Sequence, residues 1–232
     1  MENVCKKKYK PFSKNWILAS SYAEFRRNNL FRQTNADLYH YAGNNPVRYI
    51  DPDGREDYLA AIKGLHSGEL NILLWDVRFY KMLDFKNNAV LAIQMTKKEF
   101  SDNGWGNESD SFRHAYWSAL NAKSAGFSFS EKYGLAHETD PLPGEKADLY
   151  MDIHNNYIGL NIIKENPKIG DKQLVDLIKT KIENGELLVL DRNSGKLYWS
   201  NDTEHKNPVN FDDENILGKS KADKIWRDTY EK

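Results

Sequence analysis

The chain has 232 residues, 40% of them hydrophobic and 12% aromatic, which suffices for a packed core, and 29% charged. A net charge of −1 gives no global basic field, so nucleic-acid binding is not indicated by charge. The single Cys5 excludes an internal disulfide framework and a multi-cysteine zinc site.

No long apolar run follows the N-terminal Met-Glu-Asn-Val-Cys-Lys-Lys-Lys, so neither a signal peptide nor a transmembrane helix is read. As written the chain starts in the cytoplasm, or it is delivered as part of a larger protein. Residues 1–34 are basic and irregular, with a short apolar-aromatic patch from Trp16 to Phe25. From Asn35 to Arg55, Leu38, Tyr39, Tyr41, Val47, Tyr49 and Ile50 alternate loosely with turn formers. Gly43-Asn44-Asn45-Pro46 and Asp51-Pro52-Asp53-Gly54 are turn signals around a short strand.

This segment resembles the end of the RHS repeat-associated core domain of bacterial polymorphic toxins. In that family a Pro, four variable residues and Asp-Pro-x-Gly mark where the shell protein ends and a variable effector begins. Pro46, Asp51, Pro52 and Gly54 match the pattern. The resemblance implies processing at Asp51, Pro52 and Gly54, an effector module after Arg55, and a cognate immunity protein as partner. The family follows the Gly with Leu, where this chain has Arg55. Three parts are expected: residues 1–55 with the RHS-core end motif, 56–200 as a helical effector with a terminal hairpin, and 201–232 as a polar, poorly ordered tail with a weak helix near Ile225-Trp226.

From Glu56 to Phe100 the pattern is helical. Tyr58, Leu59, Ile62 and Leu65 form one amphipathic set that stops near Gly68, and Leu70, Leu73, Leu74, Val77 and Tyr80 continue at helical spacing, as do Val90, Leu91 and Met95. After the loop at 101–107, a helix starts near Glu108. It buries Phe112, Ala115, Tyr116, Ala119 and Leu120, and its other face carries Asp110, His114, Trp117, Ser118 and Asn121. An indole on a supposedly wet face implies a cover or a cleft. Gly126 ends this helix, and Ser128 with Glu131 is a capping-box signature for a second one, reaching His137 and Glu138. A third, from about Glu145 to Glu165, is apolar on two sides and is expected at the centre. Asp171 to Glu183 is an amphipathic helix closed by Asn184-Gly185, and Glu186 to Ser200 reads as a β-hairpin. The fold expected is mainly α (α+β): a helical bundle with a C-terminal β-hairpin.

Three of the six histidines fall between Asp110 and Gly159, beside carboxylates and amides on helices that otherwise look like core. Buried polar groups cost free energy unless they are paired or used. On the third helix, positions 148, 152, 155 and 159 share a face, which groups Asp148, Asp152 and Asn155, with Asn156 at its margin and Gly159 leaving room for close approach. His154 points nearly the opposite way and is assigned to hydrogen bonding within the core. His114, His137, Glu138 and Asp152 are the candidate catalytic groups, since histidine and carboxylate side chains in a cleft serve as general base and acid. They also ligate divalent metals; His114, His137 and Asp152 are the set if one is bound, although no zinc signature is present. Arg113 could steady an anionic group, with Asn155, Asn156 and Trp117 as further substrate contacts. No nucleophile elbow and no Gly-rich phosphate loop are found.

The motifs also resemble a domain of unknown function at the C-termini of RHS and wall-associated bacterial proteins. Asp-x-Phe-Arg-His-Ala-x-Trp is carried by 110–117, Ala-His-Glu by 136–138, Met-Asp-x-x-Asn-Asn-x-x-Gly by 151–159 and Gly-Glu-Leu by 185–187. That family brings no established activity. The reading of the chain is a hydrolytic effector; the alternative is a non-catalytic binding or adaptor module whose polar cluster is a structural network.

Overall fold

The structure, a computed structural model, describes residues 65–101 and 104–231. The turn-rich segment with Asp51, Pro52 and Gly54 lies outside them. Among the described residues the chain forms seven α-helices and one hairpin: α1 (Ser67–Trp75), α2 (Met82–Phe100), α3 (Glu108–Ala125), α4 (Phe127–His137), α5 (Lys146–Glu165), α6 (Asp171–Glu183), β1 (Leu188–Asp191), β2 (Lys196–Trp199) and α7 (Lys219–Tyr230). The strands are antiparallel, with Leu188 opposite Trp199 and Asp191 opposite Lys196. Over the described residues the chain is therefore mainly helical, with a small antiparallel hairpin near the C-terminus that α7 follows.

Local chemistry accounts directly for two of the boundaries. Asn107 caps α3 by accepting from the Asp110 amide at 3.2 Å, and α6 ends where Gly185, at φ +76°, lets the Glu186 amide reach back to the Lys181 carbonyl at 2.9 Å. Two signals mislead. Gly68 does not stop a helix but sits in the first turn of α1, where a Cβ would lie 2.8 Å from the Ala136 Cα; its small size serves the contact of α1 with α4. The Ser128–Glu131 capping box does not form, because α4 already starts at Phe127, and Glu131 instead accepts from the Tyr157 hydroxyl at 2.5 Å.

Two apolar clusters share α5. One joins α2, α3, α4 and α6 around Phe85, Phe112, Trp117, Phe129 and Ile178; the other joins α5, the hairpin and α7 around Tyr150, Met151, Leu188, Leu197 and Ile216. Burying each such side chain contributes about 1.5–3 kcal/mol. The tail expected to be loose is built into the second cluster. Val209 donates its amide to the Leu197 carbonyl at 2.8 Å, Ala222 is fully buried, and Phe211 and Trp226 pack against the cluster. Its apolar residues are sparse, but they fall where α5 and the hairpin leave a face to cover. No described helix is long and apolar enough to cross a membrane.

Candidate functional site

The site lies where α3, the end of α4 and α5 meet. Asp110 sits in the first turn of α3, where the helix dipole favours an anion, and its Oδ2 accepts from the Gly106 amide at 2.6 Å. Its Oδ1 pairs with the Arg113 guanidinium and lies 3.4 Å from His114 Nε2. Burial would raise the Asp110 carboxyl, but the hydrogen bond and charge of His114, with Arg113 and the Gly106 amide, hold it below the usual range.

His114 Nε2 also lies 3.3 Å from Asp152 Oδ1, one helix across on α5. Glu138, immediately after α4, completes the group: one ligand-type atom from each of His114, Glu138 and Asp152 falls within 4.8 Å of the others. Glu138 stands at the C-terminal end of its helix, the end that disfavours a carboxylate. Its side chain keeps a partly open rim, yet Oε1 is sealed from solvent and accepts no hydrogen bond; Asp152 Oδ1, although at ion-pair distance from His114, accepts none either. Burial pushes the Glu138 carboxyl up to about 7, with Glu69, Asp110 and Asp148 adding repulsion against the opposing charge of His137. Burial likewise raises Asp152 well above the carboxylate range, His114 opposing and Glu138 reinforcing. Asp110 and the Glu138–Asp152 pair are thus pushed in opposite directions, an arrangement suited to dividing acid and base roles.

The remaining expected residues divide. His137 is adjacent to the cluster but is committed elsewhere: its Nδ1 lies 3.1 Å from Glu69 Oε1, and its ring rests between those of His66 and Trp117. Burial would lower His137; the Glu69 charge and hydrogen bond override it and raise it to about 9. The group with metal-ligand spacing therefore contains Glu138 where the sequence suggested His137. Arg113 is tied to Asp110 and donates to the Gly104 carbonyl at 3.3 Å, so it braces the site from one side. Trp117 is no substrate platform: it is 2% exposed and donates its indole N–H to the Phe85 carbonyl at 3.0 Å, because α2 covers what seemed a wet face of α3. Asn155 is not free for substrate either. Its Nδ2 donates to the Leu188 carbonyl at 2.9 Å and its Oδ1 accepts the Leu188 amide at 3.0 Å, clamping β1 to α5. Asn156 is buried beside α4, and neither of its amide atoms has a hydrogen-bond partner.

His154 has the structural role its phase predicts. It donates through Nε2 to the Glu186 carbonyl at 2.9 Å and accepts the Leu217 amide at Nδ1 at 3.0 Å, which fixes a neutral tautomer. Glu69 is the residue that sequence reasoning misses. It is 2% exposed, bonds to the His66 amide at 3.0 Å and to His137, and is brought down to about 2 by the His137 charge and hydrogen bonds against a raising effect of burial. The only signal is its place three residues after His66, the usual site for a carboxylate that closes a helix start. At the rim, Arg192 holds Asp148 through Nη2 at 2.5 Å and lies 3.9 Å from the Trp105 ring centroid, joining the hairpin turn to α5 and the loop before α3.

No curated protein and no solved structure matches the chain. Residues 72–186, which carry His114, Glu138 and Asp152, match the family model described as a domain of unknown function, DUF6973, and over that span the chain is similar to that family.

Proposed function

We propose that the helical module is a hydrolytic effector whose reaction centre is His114, Glu138 and Asp152. The observation that carries this reading is the convergence of three ionisable side chains from α3, the residue that closes α4, and α5 within 4.8 Å, with sealed oxygens of Glu138 and Asp152 accepting no hydrogen bond. A network kept for structure alone satisfies its members, as Asn155 and His154 are satisfied here. Such a centre activates water: the proton of the attacking water passes to a carboxylate, and the protonated partner returns a proton to the leaving oxygen. Asp110, pinned by Arg113 and the Gly106 amide, orients His114.

The effector context rests on the resemblance of Pro46 to Gly54 to the end of an RHS core, which also makes a cognate immunity protein the expected partner and delivery within a larger RHS protein the expected route. The test is inducible expression of the full chain in a bacterium, with and without an export signal. Wild type should arrest growth, and Asp152→Asn and Glu138→Gln, at matched folded yield, should not. Arrest without export points to a cytoplasmic phosphodiester; arrest only with export points to phospholipid or cell-wall bonds. A wild type harmless in both compartments, or variants as toxic as wild type, overturns the reading.

A further inference from the structure

We infer that His114, Glu138 and Asp152 hold a divalent first-row transition-metal ion, a step that deepens the reading of this site as hydrolytic. The donor set is one imidazole nitrogen and two carboxylate oxygens, which suits Mn²⁺, Fe²⁺ or Zn²⁺ rather than a softer or harder cation. Donors about 2.1 Å from a tetrahedral metal stand about 3.4 Å apart. The 3.3 Å between His114 Nε2 and Asp152 Oδ1 already has that spacing, and the whole group lies within 4.8 Å, so side-chain adjustment of about an ångström closes it.

Three observations select this trio over its neighbours. Asp110 is as near to His114 Nε2 as Asp152 is, but its oxygens are engaged by Arg113 and the Gly106 amide, which keep it paired when Nε2 gives up its proton, and with it the bond to Asp110, to take the metal. His137 is held by Glu69. Glu138 Oε1 and Asp152 Oδ1, by contrast, are buried oxygens without a hydrogen bond. Two such carboxylates side by side repel each other in a medium that screens poorly, and a dication between them and His114 relieves both the repulsion and the missing contacts. One turn along α5 from Asp152, Asn156 is 4% exposed with both amide atoms unpartnered, a polar group able to bond a water on the metal. Three protein ligands leave at least one coordination position for water, the pattern of a catalytic site rather than a closed structural one.

The test uses the full chain, stripped with chelator and titrated with ZnCl₂ or MnCl₂ alone. Calorimetry should give one equivalent per chain, and saturation should raise the melting temperature by several degrees or more. Asp152→Asn, which preserves shape, should weaken binding at least about tenfold, as should His114→Ala, while His205→Ala, stacked on Tyr198 at the hairpin, leaves it unchanged. If His114→Ala fails to fold, Asp152→Asn and Glu138→Gln carry the comparison. No saturable binding of either ion, or binding unchanged in Asp152→Asn, overturns the metal site. Growth arrest without metal binding removes the metal and leaves the hydrolytic reading standing; stoichiometric metal without arrest does the reverse.

Discussion

Gly159 lies so close to Ala115 that a Cβ on it would stand 2.0 Å from the Ala115 carbonyl oxygen. This is the crossing of α3 and α5, and it decides the site, because His114 is the neighbour of Ala115 and Asp152 lies two turns before Gly159 on the same face. Gly159→Ala gains about 1 kcal/mol of helix propensity. The overlap is with backbone, however, and only separation of the helices relieves it. The variant should lose at least about 3 kcal/mol in urea denaturation, or fail to fold. A variant as stable as wild type would show that the helices do not cross this closely.

Asn155 supplies the second prediction. Its amide side chain pairs with both polar atoms of the Leu188 backbone, so it acts as a peptide unit added to the edge of β1. In Asn155→Ala the Leu188 carbonyl keeps the Ser111 hydroxyl, 2.5 Å away, but the amide loses its partner in a dry place. The cost is about 2–4 kcal/mol. Asn155→Asp should do worse, since it turns a carboxylate oxygen towards the Leu188 carbonyl. Native-state hydrogen exchange checks the origin: protection at Leu188 should collapse in both variants while α2 amides stay slow.

How much of this was legible in the sequence differs by level. Helix α6 and the hairpin follow from period and turn chemistry, because the amphipathic stripe ending in Leu174, Ile178 and Ile182 and the Asn184-Gly185 stop act locally. The pairing of His114 with Asp152 was legible in part, since helical phase put Asp152 on the face with Gly159 and turned His154 away. What the sequence concealed depends on third parties. Trp117 looked exposed because period cannot show that α2 covers that face; Asn155 looked available because its partner is a strand 33 residues on. His137 was exchanged for Glu138 as a member of the cluster because Glu69, far upstream and marked in sequence only as a helix-start carboxylate, claims the imidazole.

The third prediction concerns pH. Burial brings the His154 imidazole down to about 4, against the Glu186 carbonyl and Asp213, so the folded protein keeps it neutral while the unfolded chain protonates it near its ordinary 6.5. Between those values the unfolded state binds more protons, and stability rises with pH: the contribution is complete above about 6.5 and is lost as pH falls through about 4. Its size is on the order of 3 kcal/mol. Wild-type profiles blend this with Glu138, whose raised carboxyl acts in the opposite direction. The difference between wild type and His154→Gln therefore reads His154. That difference, from urea midpoints, should shrink as pH drops from 7 to 4.5; a constant difference would show that the imidazole is not held neutral.

The Glu69–His137 pair yields a fourth. Glu69, brought down to about 2, contributes stability that is present above about 4.5 and lost as pH falls through 2; His137, raised to about 9, contributes stability that is present below 6.5 and lost as pH rises through 9. The pair is strongest between about 4.5 and 6.5. Glu69→Gln keeps a hydrogen-bond acceptor but removes the charge, and should cost several kcal/mol near pH 6 and much less near pH 9.5. Thermal melts of both proteins at the two pH values measure it, and equal losses at both would separate His137 from Glu69.

Glu138→Gln should do the opposite of an ordinary buried substitution and stabilise the metal-free protein. Its carboxyl is raised to about 7, so the folded state resists its ionisation; its favourable share is present below about 4.5 and lost as pH rises through 7. At pH 8 the folded protein carries a carboxylate beside Asp152, with Oε1 sealed and without a hydrogen bond. Glutamine removes that charge at nearly constant volume. The gain should approach about 3 kcal/mol at pH 8 and vanish near pH 4, read from paired denaturation curves. The same variant should abolish growth arrest, since stability withheld at a reacting centre is what activity requires. A Glu138→Gln protein less stable than wild type at pH 8 would place the carboxylate in a satisfied structural network, and the adaptor reading would then hold.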